Sequence, residues 1–283
     1  MPSALLQDRT FLVTGANSGI GRALVEALAA GGGRVILAAR SSERAAAVLE
    51  GIRARDAHAR VSFLQLDLTD FASIRRAAQQ VMSGGERLDV LVNNAGVAMT
   101  SGVSADGYDL TYATNHLGPF LLTNLLLPRL REAPHGRIVN VSSATHLRVR
   151  RIDWAVLDRP AVPGRAGFRA YTVSKLMNVI HAKELARRLV GTPVRTSSLH
   201  PGAVASNVWR ALPQPFQWFL KLFLISNEQG ARTPFFCATA PELNEVSGRY
   251  YDHSREAVPN PLADDASLGT ELWTRSEAAV GAE

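Results

Sequence analysis

The chain has a single cysteine, Cys237, among 283 residues. An intrachain disulfide is therefore excluded, and no second thiolate is available for a metal site, which suits a reducing compartment. No apolar run approaches the ~18 residues a spanning helix needs. The opening MPSALLQDRTFLVTGANSGIG reaches a strand without a basic region and apolar core, so neither signal peptide nor anchor is expected. A cytoplasmic or membrane-peripheral location follows as the expectation. No linker, charge block or low-complexity stretch divides the sequence, and one domain over 1–283 is the economical reading. His116, His181 and His200 lack metal-ligand spacing and read as structural, so no metal is expected. Composition is ordinary for a globular chain, 46% hydrophobic and 20% charged, with a net charge of +6. That surplus favours anionic partners in general. Much of it is local: Arg148, Arg150, Arg151, Arg159, Arg165 and Arg169 stand against Asp153 and Asp158. This segment reads as a solvated basic loop, and no nucleic-acid partner is expected.

Short apolar runs alternate with helical patterns: RTFLVTG, GIGRALVEALAAGG, RVILAAR, SERAAAVLEGIRARD, RVSFLQLD, ASIRRAAQQVMS, LDVLVNNAG. This is the βαβ pattern of a parallel sheet covered on both faces, an α/β doubly wound (Rossmann) fold. It resumes with a long helix through DLTYATNHLGPFLLTNLLLPRLRE, a strand at GRIVNVSS, a helix from AYTVSK onward and a strand at VRTSSLHPG. After Pro201 the alternation loosens. Residues 203–226 read as an insertion, followed by a helix near 227–239, a short strand at GRYYD and a final helix near 265–279.

In TGANSGIG, Gly15, Gly19 and Gly21 fall between a strand and a helix. Glycines there permit a tight turn and close approach of backbone N–H groups to a pyrophosphate, whose charge the helix N-terminus also favours. An NAD site needs a carboxylate at the end of the second strand to hold the ribose 2′-hydroxyl. Here that position reads Ala38-Ala39-Arg40, and a guanidinium pairs with a 2′-phosphate where an acid would repel it. The cofactor expected is NADP(H).

AYTVSK places Tyr171 and Lys175 four residues apart, on one helix face. A surface Tyr and Lys would show the same spacing. Together with the other motifs, however, the sequence resembles the short-chain dehydrogenase/reductase family over nearly its whole length. The motifs are TGxxxGxG at 14–21, Asp67-Leu68, NNAG at 93–96, Asn115, VSS at 141–143, YxxxK and HPG at 200–202. TNHLGPFLLTNLLLPRL, RIVNVSSATH and ISNEQGARTPFFCATAPELNEVSGRYYDH further resemble its retinol dehydrogenase-like branch.

The resemblance implies a catalytic set of Asn115, Ser143, Tyr171 and Lys175. It implies a cofactor site formed by Gly15, Asn17, Ser18, Gly19, Ile20, Gly21, Arg40, Asp67, Leu68, Asn94, Ala95, Gly96, Tyr171, Lys175, Pro201, Gly202, Val204 and Ser206. Ser143, Tyr171, Trp209, Trp218 and Phe219 are the expected substrate contacts. The activity implied is hydride transfer between the nicotinamide and an apolar aldehyde, ketone or secondary alcohol, with Tyr171 as general acid/base. Reduction of a C=C or C=N bond, or a dinucleotide-binding scaffold without turnover, remain as rivals. Bringing a phenol from ~10 towards neutrality takes about 4 kcal/mol. An ammonium at ~4 Å in an effective dielectric of ~20 supplies about that, and in the family this lysine also holds the nicotinamide ribose. Pro119 follows Asn115 by four residues and has no N–H for its carbonyl. In the family the corresponding carbonyl holds a water in a proton relay to the lysine.

One stretch is apolar beyond what a core needs. On a helix, FQWFLKLFLI at 216–225 leaves only Gln217 and Lys221 as a polar stripe. One face is expected to close over substrate as a lid, and the other to meet a lipid surface or a second copy in a homodimer. Burial of both faces within the monomer is the alternative.

Overall fold

The computed structural model describes residues 6–154, 165–203 and 225–281. Its centre is an eight-stranded sheet in the order β3-β2-β1-β4-β5-β6-β7-β8. The strands are β1 Thr10–Thr14, β2 Arg34–Ala39, β3 Val61–Gln65, β4 Val90–Asn93, β5 Arg137–Val141, β6 Arg195–His200, β7 Arg249–Asp252 and β8 Arg255–Glu256. All neighbours pair in parallel except β7 and β8, which form an antiparallel hairpin.

β1, β4 and β5 are buried along their whole length, which explains why their sequences are apolar runs without alternation. Successive side chains still point to opposite faces. Leu12, Leu91 and Ile138 join a core with Phe120, Leu176 and Trp273, while Phe11, Val13, Val90 and Val92 join another with Leu24 and Leu28. Each fully buried Leu or Phe contributes roughly 1.5–3 kcal/mol, so the central strands are committed on both faces. The helices over these faces are α1 Gly19–Ala30, α2 Ser42–Arg55, α3 Phe71–Ser83, α4 Leu110–Tyr112, α5 Gly118–Arg131, α6 Arg165–Arg188, α7 Asn227–Gly230, α8 Arg232–Thr239 and α9 Ala266–Val280. Among the described residues no helix is long and apolar enough to cross a membrane.

The strand order reverses between β1 and β4, so the loops at the carboxyl ends of the strands diverge there and leave a crevice. Two further features shape its surroundings. The helix expected to run unbroken through Asn115 is interrupted: α4 is a single turn capped by Asp109, Ala113–Leu117 is a π-helix, and α5 begins at Gly118. Gly118 N–H reaches back five residues to the Ala113 carbonyl. Pro119 has no N–H to offer Asn115, so the regular i to i+4 ladder cannot pass this point, and the wider turn absorbs the break. A Cβ at Gly118 would lie 2.5 Å from the Leu68 carbonyl oxygen, so only glycine lets this helix start approach the loop between β3 and α3. Further along, Ile225 N–H donates to the Ala203 carbonyl at 2.9 Å, closing the chain on itself beyond Gly202.

Candidate active site

A cavity of about 540 Å³ opens at the crevice, within the ~300–1,000 Å³ typical of small-molecule sites. At one end lies the glycine turn. Gly15 and Gly19 have φ of 64° and 56°, a left-handed backbone that side chains disfavour. A Cβ at Gly15 would stand 2.8 Å from Ala95 Cα, and one at Gly21 would stand 2.5 Å from the Gly15 carbonyl oxygen. Thr14 and Asn94 lock this turn to β4. Thr14 Oγ1 accepts from the Asn94 and Ala95 N–H groups at 3.1 and 3.0 Å, and Asn94 Nδ2 donates to the Thr14 carbonyl at 2.8 Å. The cradle is thus crowded by backbone, open towards the cavity and placed ahead of the α1 N-terminus. It fits a pyrophosphate.

At the far side of the turn, Arg40 and Arg44 both line the cavity. Gln65 Nε2 donates to the Arg40 carbonyl at 2.7 Å, and Ser41 caps α2 by accepting the Arg44 N–H at 3.2 Å. Among the described residues neither guanidinium is held in an ion pair. Arg44 is absent from the sequence-based site, although its position four residues after Arg40, at a helix start, was a usable signal. Asp67 and Leu68 form the neighbouring wall, with Asp67 Oδ1 accepting from the Thr69 N–H and hydroxyl at 2.9 and 2.7 Å.

The other end holds Ser143, Tyr171 and Lys175. Ser143 lies two residues past the end of β5, where its Oγ accepts the Thr145 N–H at 3.3 Å, and Tyr171 and Lys175 share one face of α6, with the Tyr171 phenol beside the Ser143 hydroxyl. Lys175 Nζ is buried, donates to the Val141 carbonyl at 3.0 Å and lies 5.7 Å from the Tyr171 ring centroid. Gly96 makes room for it, since a Cβ there would be 3.0 Å from Nζ. Ser142 is turned away, its Oγ donating to the Lys175 carbonyl at 2.6 Å.

Asn115 is fully buried behind the cavity wall rather than on it. Its Oδ1 accepts the Val97 N–H at 2.8 Å, while Nδ2 donates to the Val97 carbonyl and to Ser174 Oγ, both at 2.9 Å. Ser174 Oγ in turn donates to the Tyr171 carbonyl at 2.8 Å. The side chain therefore ties the loop after β4 to α6, and only the backbone of Asn115 is left for chemistry.

The electrostatics differ from the expectation that Lys175 draws the phenol towards neutrality. Burial raises the Tyr171 pKa, with the neighbouring Ser143 hydroxyl opposing it, and burial also pulls Lys175 down to about 8. The ammonium sits over the ring face and spends a donor on Val141, so desolvation outweighs its attraction for the phenolate.

Sixteen of the eighteen expected cofactor residues line this one cavity; Val204 and Ser206 lie outside the described residues. So do the substrate positions Trp209, Trp218 and Phe219, and nearly all of 203–226. His116 and His181 are buried in an aromatic cluster with Phe120 and Trp273. His200, read from sequence as structural, instead borders the cavity beside Pro201 and Gly202. Among the described residues no cluster of metal-ligating side chains occurs.

The family model described as short chain dehydrogenase matches residues 9–156. Dehydrogenase/reductase SDR family member 13 from Bos taurus is 42% identical, over 98% of this chain and 74% of its own length. Retinol dehydrogenase 13 from Mus musculus is 37% identical, over 98% of this chain and 85% of its own. Among solved structures, an uncharacterized protein from Mycobacterium Paratuberculosis superposes with a TM-score of 0.79 at 32% identity, covering 100% of this chain and 96% of that one.

Proposed function

The chain belongs to the short-chain dehydrogenase family, and from that premise we propose that it is an NADP(H)-dependent oxidoreductase interconverting an apolar aldehyde or ketone and its alcohol. The observation that carries this reading is the shared wall: a phosphate cradle and two guanidiniums outside any ion pair at one end of a cavity, and Ser143, Tyr171 and Lys175 together at the other. Gly15, Gly19 and Gly21 hold the pyrophosphate; Arg40 and Arg44 hold a 2′-phosphate where Ala39 offers no competing acid. When bound, the dinucleotide supplies the hydride donor or acceptor.

The protein supplies the proton. A carbonyl oxygen placed between the Ser143 hydroxyl and the Tyr171 phenol receives a hydrogen bond from the first and a proton from the second as negative charge develops on it. The raised Tyr171 pKa keeps the phenol protonated at neutral pH, which suits the reductive direction. Lys175, charged below about 8, stabilises the phenolate left behind. The Asn115 carbonyl, denied an N–H by Pro119, holds a water that resupplies protons through Lys175. Substrate apolarity is supported by the relatives named retinol dehydrogenases and by the apolar stretch 216–225.

The test is NADPH consumption over a panel of lipophilic aldehydes, ketones, enones and imines, with NADH in parallel and Tyr171→Phe as control. Turnover of aldehydes or ketones that falls at least about tenfold in Tyr171→Phe supports the general-acid role. Turnover confined to C=C or C=N bonds, or none with NADPH bound, overturns the reading.

A further inference from the structure

The Ser143 hydroxyl is held by the turn that Ser143 opens, its Oγ accepting the Thr145 N–H at 3.3 Å, so its orientation depends on what holds that turn. The Ser143 backbone is extended, at φ −159°, where β5 passes into the 3₁₀ turn Ala144–Arg148, and its carbonyl accepts twice from one residue. The His146 N–H reaches it at 3.1 Å and the His146 ring Nδ1 at 2.6 Å. His146 is fully buried. The other ring nitrogen fixes the tautomer: Asn260 N–H approaches Nε2 at 3.2 Å, and a backbone amide can only donate. Nε2 is therefore the acceptor, Nδ1 carries the hydrogen, and the bond to Ser143 runs from ring to carbonyl. Burial lowers the His146 pKa, which preserves this neutral form.

Asn260 is itself 3% exposed and held on every side. Its Nδ2 donates to the carbonyls of His146 and Val149 at 3.0 and 2.7 Å, and its Oδ1 accepts the Leu262 N–H at 3.0 Å. The His146 ring also packs on Tyr250 of β7, centroids 4.9 Å apart. A residue 114 positions away from His146 in sequence thus clamps the middle and the far end of the short turn that begins at Ser143.

We propose that His146 and Asn260 are positioning residues, which fix the Ser143 carbonyl and thereby aim the Ser143 hydroxyl at the Tyr171 phenol. This rests on the hydride-transfer reading above for its effect on turnover, though not for its effect on Tyr171. A freed Ser143 carbonyl loosens the turn, and with it the Thr145 N–H that holds the Ser143 hydroxyl. Loosening of that kind weakens transition-state contact without touching the glycine cradle or the arginines.

The experiment compares His146→Phe, His146→Asn and Asn260→Ala with wild type and Ser143→Ala, all bound to NADP(H). The phenylalanine keeps a ring against Tyr250 but has no nitrogen; the asparagine restores a side-chain N–H near the Nδ1 position. Three readouts are taken: kcat and KM on the carbonyl found by the panel, NADPH affinity by fluorescence, and the ring-carbon resonance of Tyr171 in 13C-tyrosine-labelled protein. In His146→Phe, kcat is expected to fall about ten- to a hundredfold, with NADPH affinity within about twofold. The Tyr171 resonance moves the way it does in Ser143→Ala. His146→Asn recovers part of both changes, and Asn260→Ala shows them in weaker form. If His146→Phe does not fold, the other two variants decide. Wild-type kcat with an unmoved Tyr171 resonance overturns the proposal, as does a kcat loss matched by loss of NADPH affinity. If wild type turns over no carbonyl, the hydride-transfer reading fails separately, and the Tyr171 resonance still decides the positioning.

Discussion

Lys175→Met should stabilise the protein while removing its activity. The ordinary lysine value of 10.5 is pulled down to about 8 in the fold, and burial is the cause. With the folded value below the unfolded one, holding the ammonium costs stability at every pH below about 8. Between there and 10.5 the folded chain releases its proton before the unfolded chain does, so wild-type stability rises with pH across that window. The difference of about 2.5 units corresponds to about 3 kcal/mol at pH 7 and shrinks to about 1 kcal/mol at pH 10. Methionine fills nearly the same volume without charge. It orphans no acceptor either, because Asn178 Nδ2 also donates to the Val141 carbonyl at 3.2 Å. The assay is urea unfolding of the dinucleotide-free protein at pH 7 and pH 10. At pH 7 the variant should gain about 3 kcal/mol, or about 5 °C in Tm for a chain of this size, and the gain should fade at pH 10. A variant less stable than wild type at pH 7, or a gain independent of pH, refutes the reasoning. NADPH-dependent carbonyl reduction by the variant should be lost at both pH values.

Two other substitutions probe the cofactor end and the π-turn. Replacing Ala39 with Asp and Arg40 with Leu should reverse or abolish a preference for NADPH over NADH, read as the ratio of kcat/KM values; equal wild-type values would defeat the assignment. Arg44→Ala alone should weaken NADPH binding at least about tenfold while leaving NADH unchanged, since a charge-assisted phosphate contact contributes about 1.5–3 kcal/mol. Pro119→Ala offers Asn115 an N–H and should let the π-turn regularise, lowering kcat while raising stability. Unchanged kcat, with a crystal structure showing a water still on the Asn115 carbonyl, would show that the π-turn alone frees that oxygen.

The sheet was legible because its strands are short, apolar and separated by helix-length patterns, and β1 to β6 fall where the runs fall. The glycine turn and the Tyr171–Lys175 spacing were legible for a related reason: each is a local arrangement that needs few residues to encode. What escaped was set by the third dimension. The π-turn looks like helix in any periodicity count, and only Pro119 hinted at its break. Asn115 carries its side chain into the gap between Val97 and Ser174, a contact that joins residues 18 and 59 apart. The partnership of His146 with Asn260 spans β6, β7 and β8 and has no sequence signature. The charge balance at Tyr171 also lay out of reach, because burial, which the sequence does not display, raises the phenol's pKa where the neighbouring lysine alone would lower it.

The hydrogen bond from Ile225 to Ala203 has a consequence for variation within this architecture. Because the two residues meet, the entropy of closing the chain between them is set against a fixed stem, and doubling the intervening length would add only about 0.6 kcal/mol. The stem leaves directly from Gly202 at the cavity rim, yet β6 and β7 pair with each other without its help. A change in chain length between 203 and 225 is therefore taken up beyond the stem and leaves the pairing of β6 with β7 intact. The residues that place Ser143, Tyr171 and Lys175 thus stand on a frame whose pairing does not depend on the length of that segment.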